Sequence, residues 1–98
     1  MAISLTHRQR LLLIDMLNAG SGPEMYFTFA GLKSITLIDH DSVPQTVRDL
    51  ARMGLAEYRR GLWTEDGTPG GSGYGLTELG LSVAKVERDI EAALHEEK

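Results

Sequence analysis

Apolar residues recur at helical intervals in four stretches of this chain, separated by short segments that have no helical period. In the first stretch Leu12, Leu13, Met16 and Leu17 share one helix face, and Thr6 followed by Gln9 has the spacing of a capping box just ahead of them. These positions predict a helix from about His7 to Asn18 that ends at Gly20, before a loop of Ala19-Gly-Ser-Gly-Pro23 that cannot continue it. Phe29, Leu32 and Ile35, with Leu37 beyond them, mark a short second helix whose end is blurred by β-branched Ile35 and Thr36. Tyr26-Phe-Thr-Phe29 suits either a short strand or the lead-in to that helix.

The third stretch runs from Ser42 to Met53. Asp41 and Ser42 both suit an N-cap; Ser42 is preferred because Gln45 then takes the reciprocal capping-box position and Pro44 falls in the first turn, where its missing N–H costs little. At 100° per residue Val43, Val47, Leu50, Ala51 and Gly54 gather on one side, the expected core face. Gln45, Arg48, Asp49 and Arg52 gather on the other, with Ser42, Thr46 and Met53 at its edge. Leu55 to Arg60 and Tyr74 to Leu76 read as extended segments joined across a loop containing Gly67-Thr-Pro-Gly-Gly-Ser-Gly73, which makes an antiparallel hairpin. Thr77 can cap a last helix from about Glu78 to Glu96, where Leu79, Val83, Val86, Ile90 and Ala93 alternate at spacings of four and three and Leu94 joins them.

Two short steps carry a resemblance: Leu50-Ala-Arg-Met-Gly54-Leu55 leading into the hairpin, and Tyr74-Gly-Leu76-Thr77-Glu-Leu-Gly80 leading out of it. With the helix, hairpin and closing helix around them, they resemble the winged helix-turn-helix transcriptional regulators, in particular PadR-like and MarR-like members. The resemblance implies a mainly α fold with a small β-hairpin wing, in which residues 1–76 form a winged helix-turn-helix domain. Residues 77–98 would add a C-terminal helix that serves as the dimerisation element of the same single domain. It also implies a sequence-specific double-stranded DNA-binding regulator, a repressor in its simplest form, acting as a homodimer. Because a helix-turn-helix sets its second helix against base edges, Gln45 and Arg48 become candidates for reading bases, with Arg52 farther along the groove and Ser42 and Thr46 on phosphate or base. Arg59 and Arg60, at the base of the wing, are candidates for phosphate contact. Leu79, Val83, Val86, Ile90 and Leu94 are the candidate dimer seam, since related regulators commonly pair through terminal helices.

Charge changes this picture only in part. The chain of 98 residues has a net charge of −4, awkward for a ligand as anionic as DNA. Residues 1–64 nevertheless hold seven Lys or Arg against six acids, a net of +1, and residues 65–98 hold three against eight, a net of −5. The acidity thus belongs to the wing tip, with Glu65 and Asp66, and to the last helix. Asp49, central on the groove-facing side, repels phosphate unless it pairs with Arg52 or accepts from a cytosine amino group.

Catalytic and cofactor chemistry find no support in the sequence. Cysteine is absent, no Ser or acid pair stands in a recognisable constellation with a His, and Leu81 occupies the place a phosphate-binding loop reserves for Lys after Gly75 and Gly80. His7, His40 and His95 are scattered, and the one cluster of ligand types, Asp39-His40-Asp41, is better used in capping. No enzyme, no cofactor and no metal is expected. With no apolar run near ~18 residues and no leader pattern at the start, the expectation is a cytoplasmic protein without a membrane partner. The rival function is a winged-helix protein-protein interaction module without DNA binding, presenting Trp63 on the wing, or the C-terminal helix, to a protein partner.

Overall fold

Thr6 and Gln9 open the first helix as their spacing predicts. In the computed structural model, which describes residues 4–20, 26–63 and 69–96 and the side chains of these except at 60–63, 69–71 and 95–96, Thr6 Oγ1 accepts from the Gln9 amide at 3.2 Å and Gln9 Oε1 accepts from the Thr6 amide at 3.0 Å. Helix α1 (His7–Ala19) follows, and its Leu12, Leu13, Met16 and Leu17 are buried in the core; Ile14 of the same helix is also buried. Thr28 caps α2 (Phe29–Ile35) through the Gly31 amide at 3.0 Å. Helix α3 (Val43–Arg52) is preceded by a 3₁₀ turn, His40–Ser42. Strands β1 (Ala56–Trp63) and β2 (Pro69–Leu76) pair antiparallel, and α4 (Glu78–Glu96) returns along α1, to which Arg10 Nε and Glu87 Oε2 tie it at 3.2 Å.

The two sequence steps that frame the hairpin have a physical basis, and they dock on one another. After α3, Gly54 takes φ +80°, its amide donates to the Ala51 carbonyl at 3.0 Å, and the Leu55 amide donates to the Leu50 carbonyl at 2.9 Å. This is a Schellman close, with the fully buried Leu50 and Leu55 as its apolar pair. Gly54 therefore stands past the helix end and exposed, rather than on the core face where the helical wheel puts it. On the other side of the wing, Thr77 donates its amide to the Leu55 carbonyl at 3.1 Å and its hydroxyl to the Gly54 carbonyl at 2.6 Å, while accepting from the Gly80 amide at 3.0 Å. Thr77 caps α4 and clamps it to the end of α3 in one set of contacts.

Three further expectations need correcting. Leu37 is 99% exposed and Ile38 takes the core place, because α2 stops at Ile35 and the extended Thr36 (φ −123°, ψ 152°) sets an alternation that turns 36 and 38 inward. The capping box at Ser42 and Gln45 does not form: Ser42 has αR dihedrals at the end of the 3₁₀ turn, and its hydroxyl donates back to the Asp39 carbonyl at 2.7 Å. Pro69 to Gly73 belong to β2 rather than to a loop. There Phe27 and Tyr74 exchange both backbone hydrogen bonds at 2.8 Å, adding a one-residue third strand to the hairpin, and a Cβ on Gly73 would lie 2.7 Å from the Phe27 carbonyl oxygen. Glycine is what lets that segment approach.

Candidate nucleic-acid interface

Val43, Val47 and Leu50 have no exposed surface, so the opposite side of α3 is turned outward. Gln45, Arg48 and Arg52 are exposed there, and Ser42 is half-buried at its start. Thr46 is not part of this surface. It is only 6% exposed, and its hydroxyl donates to the Ser42 carbonyl at 2.7 Å, the back-bonding that a threonine one turn into a helix readily makes.

Two arrangements divide the outward residues. Asp49 Oδ1 accepts from Gln45 Nε2 at 2.9 Å and from Arg52 Nη1 at 3.1 Å, which joins three residues along one strip of the helix. Arg48 stands apart: its guanidinium lies 5.4 Å above the Phe29 ring, and no acid of the described residues pairs with it. Phe29 stacks on Tyr74 at 5.9 Å, Tyr74 meets Tyr58 at 5.0 Å, and the Tyr58 hydroxyl donates to Ser72 Oγ at 2.7 Å. An aromatic row therefore connects α3, through α2, to both wing strands. Arg59 lies 4.7 Å over the Tyr26 ring, with Nη2 2.6 Å and Nε 3.0 Å from Glu57 Oε1. The side chains of Arg60 and Trp63, and the residues Glu65 and Asp66, lie outside the described residues.

Sequence spacing did not reveal the aromatic row, because its contacts are tertiary. Five of the six aromatic residues belong to three parts of the chain that the fold brings together: Tyr26, Phe27 and Phe29 around the start of α2, Tyr58 on β1 and Tyr74 on β2. The start of α1 was also missed. It faces α3 across a cleft of about 420 Å³ that places His7 and Arg8 opposite Gln45 and Asp49.

Helix α4 has a buried side that the periodicity did not mark and an exposed apolar stripe that it did. Gly80 and Ala84 are buried against the domain, with Glu87 following on the same side to meet Arg10. Leu79, Val86, Ile90 and Leu94 are between 49% and 63% exposed on a second side. Val83 lies between the two and packs partly on the core.

Solved structures share this architecture. A MarR family transcription regulator is similar over 92% of this chain with 21% identity and a TM-score of 0.65. FabT of Streptococcus pneumoniae, solved in complex with DNA, is similar over 95% with 17% identity and a TM-score of 0.63. The transcriptional repressor BigR from Xylella fastidiosa is similar over 96% with 23% identity and a TM-score of 0.61. The chain spans 54% and 59% of the length of the first two and 82% of BigR. No protein-family model matches the chain, and no curated protein matches it in sequence. The likeness is one of fold, that of the winged helix-turn-helix in MarR-like regulators.

Proposed function

We propose that this chain is a sequence-specific, double-stranded DNA-binding transcriptional regulator that acts as a homodimer and represses by occupying a promoter. The observation that carries the reading is the outward side of α3, where Gln45, Arg48 and Arg52 stand exposed on a rigid helix whose other side is core. These are side chains that can read base edges and bind phosphate. Arg48 is the chief reader, since it is exposed and has no competing acid. Arg59 would position the backbone from the wing. The exposed Leu79, Val86, Ile90 and Leu94 supply a two-fold seam, and two α3 helices related by such an axis suit palindromic half-sites. No helix among the described residues is long and apolar enough to cross a membrane, which fits a regulator working in the cytoplasm.

Selection of the purified protein against a randomised duplex library, with its mass in solution recorded alongside, tests this reading. The expected result is an enriched palindrome bound by a dimer. Arg48→Ala should then lower operator affinity by about 5- to 150-fold while leaving the melting temperature unchanged. Unaltered affinity would remove Arg48 from the interface.

One observation favours a second reading, the protein-interaction module: Arg52 and Arg59 are already paired with Asp49 and Glu57. A module of that kind would show neither measurable affinity for random duplex at low salt nor a steep salt slope.

A further inference from the structure

We propose that Asp49, the acid at the centre of the DNA-facing side of α3, is the positioning residue that makes this surface prefer adenine, by fixing which way round the Gln45 amide is presented. The inference rests on the DNA-binding reading and deepens it. An ionised carboxylate can only accept hydrogen bonds, so the part of Gln45 that meets Asp49 Oδ1 at 2.9 Å has to be the NH₂ group. That contact spends one N–H and leaves Oε1 and the second N–H of Gln45. An acceptor beside a donor is the complement of adenine in the major groove, which offers its N6 amino group and N7. Guanine offers acceptors at both O6 and N7, so an amide held this way round sets oxygen against oxygen. A glutamine free to rotate could turn its NH₂ toward guanine instead; the carboxylate four residues on prevents it.

Arg52 completes the device. Its Nη1 donates to the same Oδ1 at 3.1 Å, which holds the carboxylate in place and offsets the charge that would otherwise repel nearby phosphates. Spacings of three and four residues put all three side chains on one strip of the helix. Asp49, the residue that argues most against DNA binding when read alone, thereby becomes part of the reading surface.

The test is the same randomised-duplex selection run on the wild type, Gln45→Ala, Asp49→Ala and Asp49→Asn, each checked for an unchanged melting temperature. The wild type should enrich adenine at one position of each half-site, by about 5- to 150-fold over guanine. Gln45→Ala and Asp49→Ala should each reduce that preference to near unity, and Asp49→Ala should bind random duplex at least as tightly as wild type because a negative charge has gone. Asp49→Asn keeps an acceptor but adds an NH₂ donor that can meet Gln45 Oε1 and let the amide turn round, so its adenine preference should fall between those of the wild type and Asp49→Ala. The proposal is overturned if Asp49→Ala still selects adenine, if it loses a cytosine instead, which would make Asp49 itself a base reader, or if affinity falls alike for all sequences together with stability. Should the folded wild type enrich nothing, the DNA-binding reading itself fails, an outcome distinct from an operator whose adenine does not depend on Asp49.

Discussion

Replacing Gly80 by alanine should destabilise the domain, against the usual direction of a glycine-to-alanine change in a helix. Such a change normally gains roughly 0.5–1 kcal/mol by restricting the unfolded chain. Here the added Cβ would lie 1.8 Å from the Leu55 carbonyl oxygen, a backbone atom that cannot rotate away. An ordinary C···O contact needs about 3.3 Å, so α4 would have to retreat by roughly 1.5 Å. The Leu55 carbonyl accepts from the Thr77 amide at 3.1 Å, and a retreat of that size would break this bond. Overpacking at about 1–3 kcal/mol and a lost hydrogen bond at about 1 kcal/mol outweigh the gain and leave a net loss of about 2 kcal/mol. For a domain of this size that is a fall in melting temperature of roughly 10 °C. Gly31→Ala is the matched control: its Cβ would meet nothing closer than Thr28 Oγ1 at 3.4 Å, so its melting temperature should hold or rise. Thermal unfolding of the three proteins at one concentration decides the matter. A Gly80→Ala protein as stable as wild type would refute the docking of α4 on the end of α3.

Burial raises the Asp15 pKa above its ordinary 3.8, only partly opposed by the hydrogen bond from the Thr36 hydroxyl at 2.7 Å. A raised folded pKa means that the native state holds the proton more tightly, so this group's contribution is fully present below pH 3.8 and is lost as pH rises through the raised value. Asp15→Asn keeps an acceptor for Thr36 and should be more stable than wild type at neutral pH, with the difference shrinking toward low pH in a denaturant series; an equal difference at every pH would contradict it. Ile90→Glu places a charge on the exposed stripe of α4 without touching the core; sedimentation should find a folded monomer for the variant and, if the proposed homodimer forms, a dimer for the wild type, and equal masses would remove the stripe from the proposed seam.

Legibility followed the range of the interactions. The Thr6 and Gln9 capping box, the α1 core residues and the buried side of α3 are local patterns, and spacing was enough to place them. Ser42 shows the limit of local reasoning: its residue type suits a cap, but the preceding 3₁₀ turn has already set its backbone and claimed its hydroxyl. Thr46 sat at the boundary of the helical wheel, where a rotation of a few tens of degrees separates groove from core, and packing against the core settled it. On α4 the heptad pattern marked the exposed stripe and missed the buried side, because Gly80, Ala84 and Glu87 are too small or too polar to register as an apolar face. The cradle under Arg48 depends on Phe29 and Tyr74, residues 45 positions apart, and no window along the chain contains both.

Under the proposed function, the charge distribution sets what a second copy would add. Of the described cations on the α3 and wing surface, Arg52 and Arg59 are already engaged by acids, and Arg48 is left as the cation without one. A single protomer therefore brings few charges to release counterions from DNA, and its affinity for duplex should be weak and shallow in salt. Two protomers joined as proposed, through the exposed Leu79, Val86, Ile90 and Leu94, would change the arithmetic, since the second half-site would then be engaged at the high effective concentration set by the link. The last helix, with five acids against two bases over Glu78–Glu96, a net of −3, offers phosphate little purchase of its own. Its value to a DNA-binding protein is then as the joint between two reading heads. If the proposed homodimer forms, the apolar stripe of α4 would raise operator occupancy through the link alone, without a contact to any base.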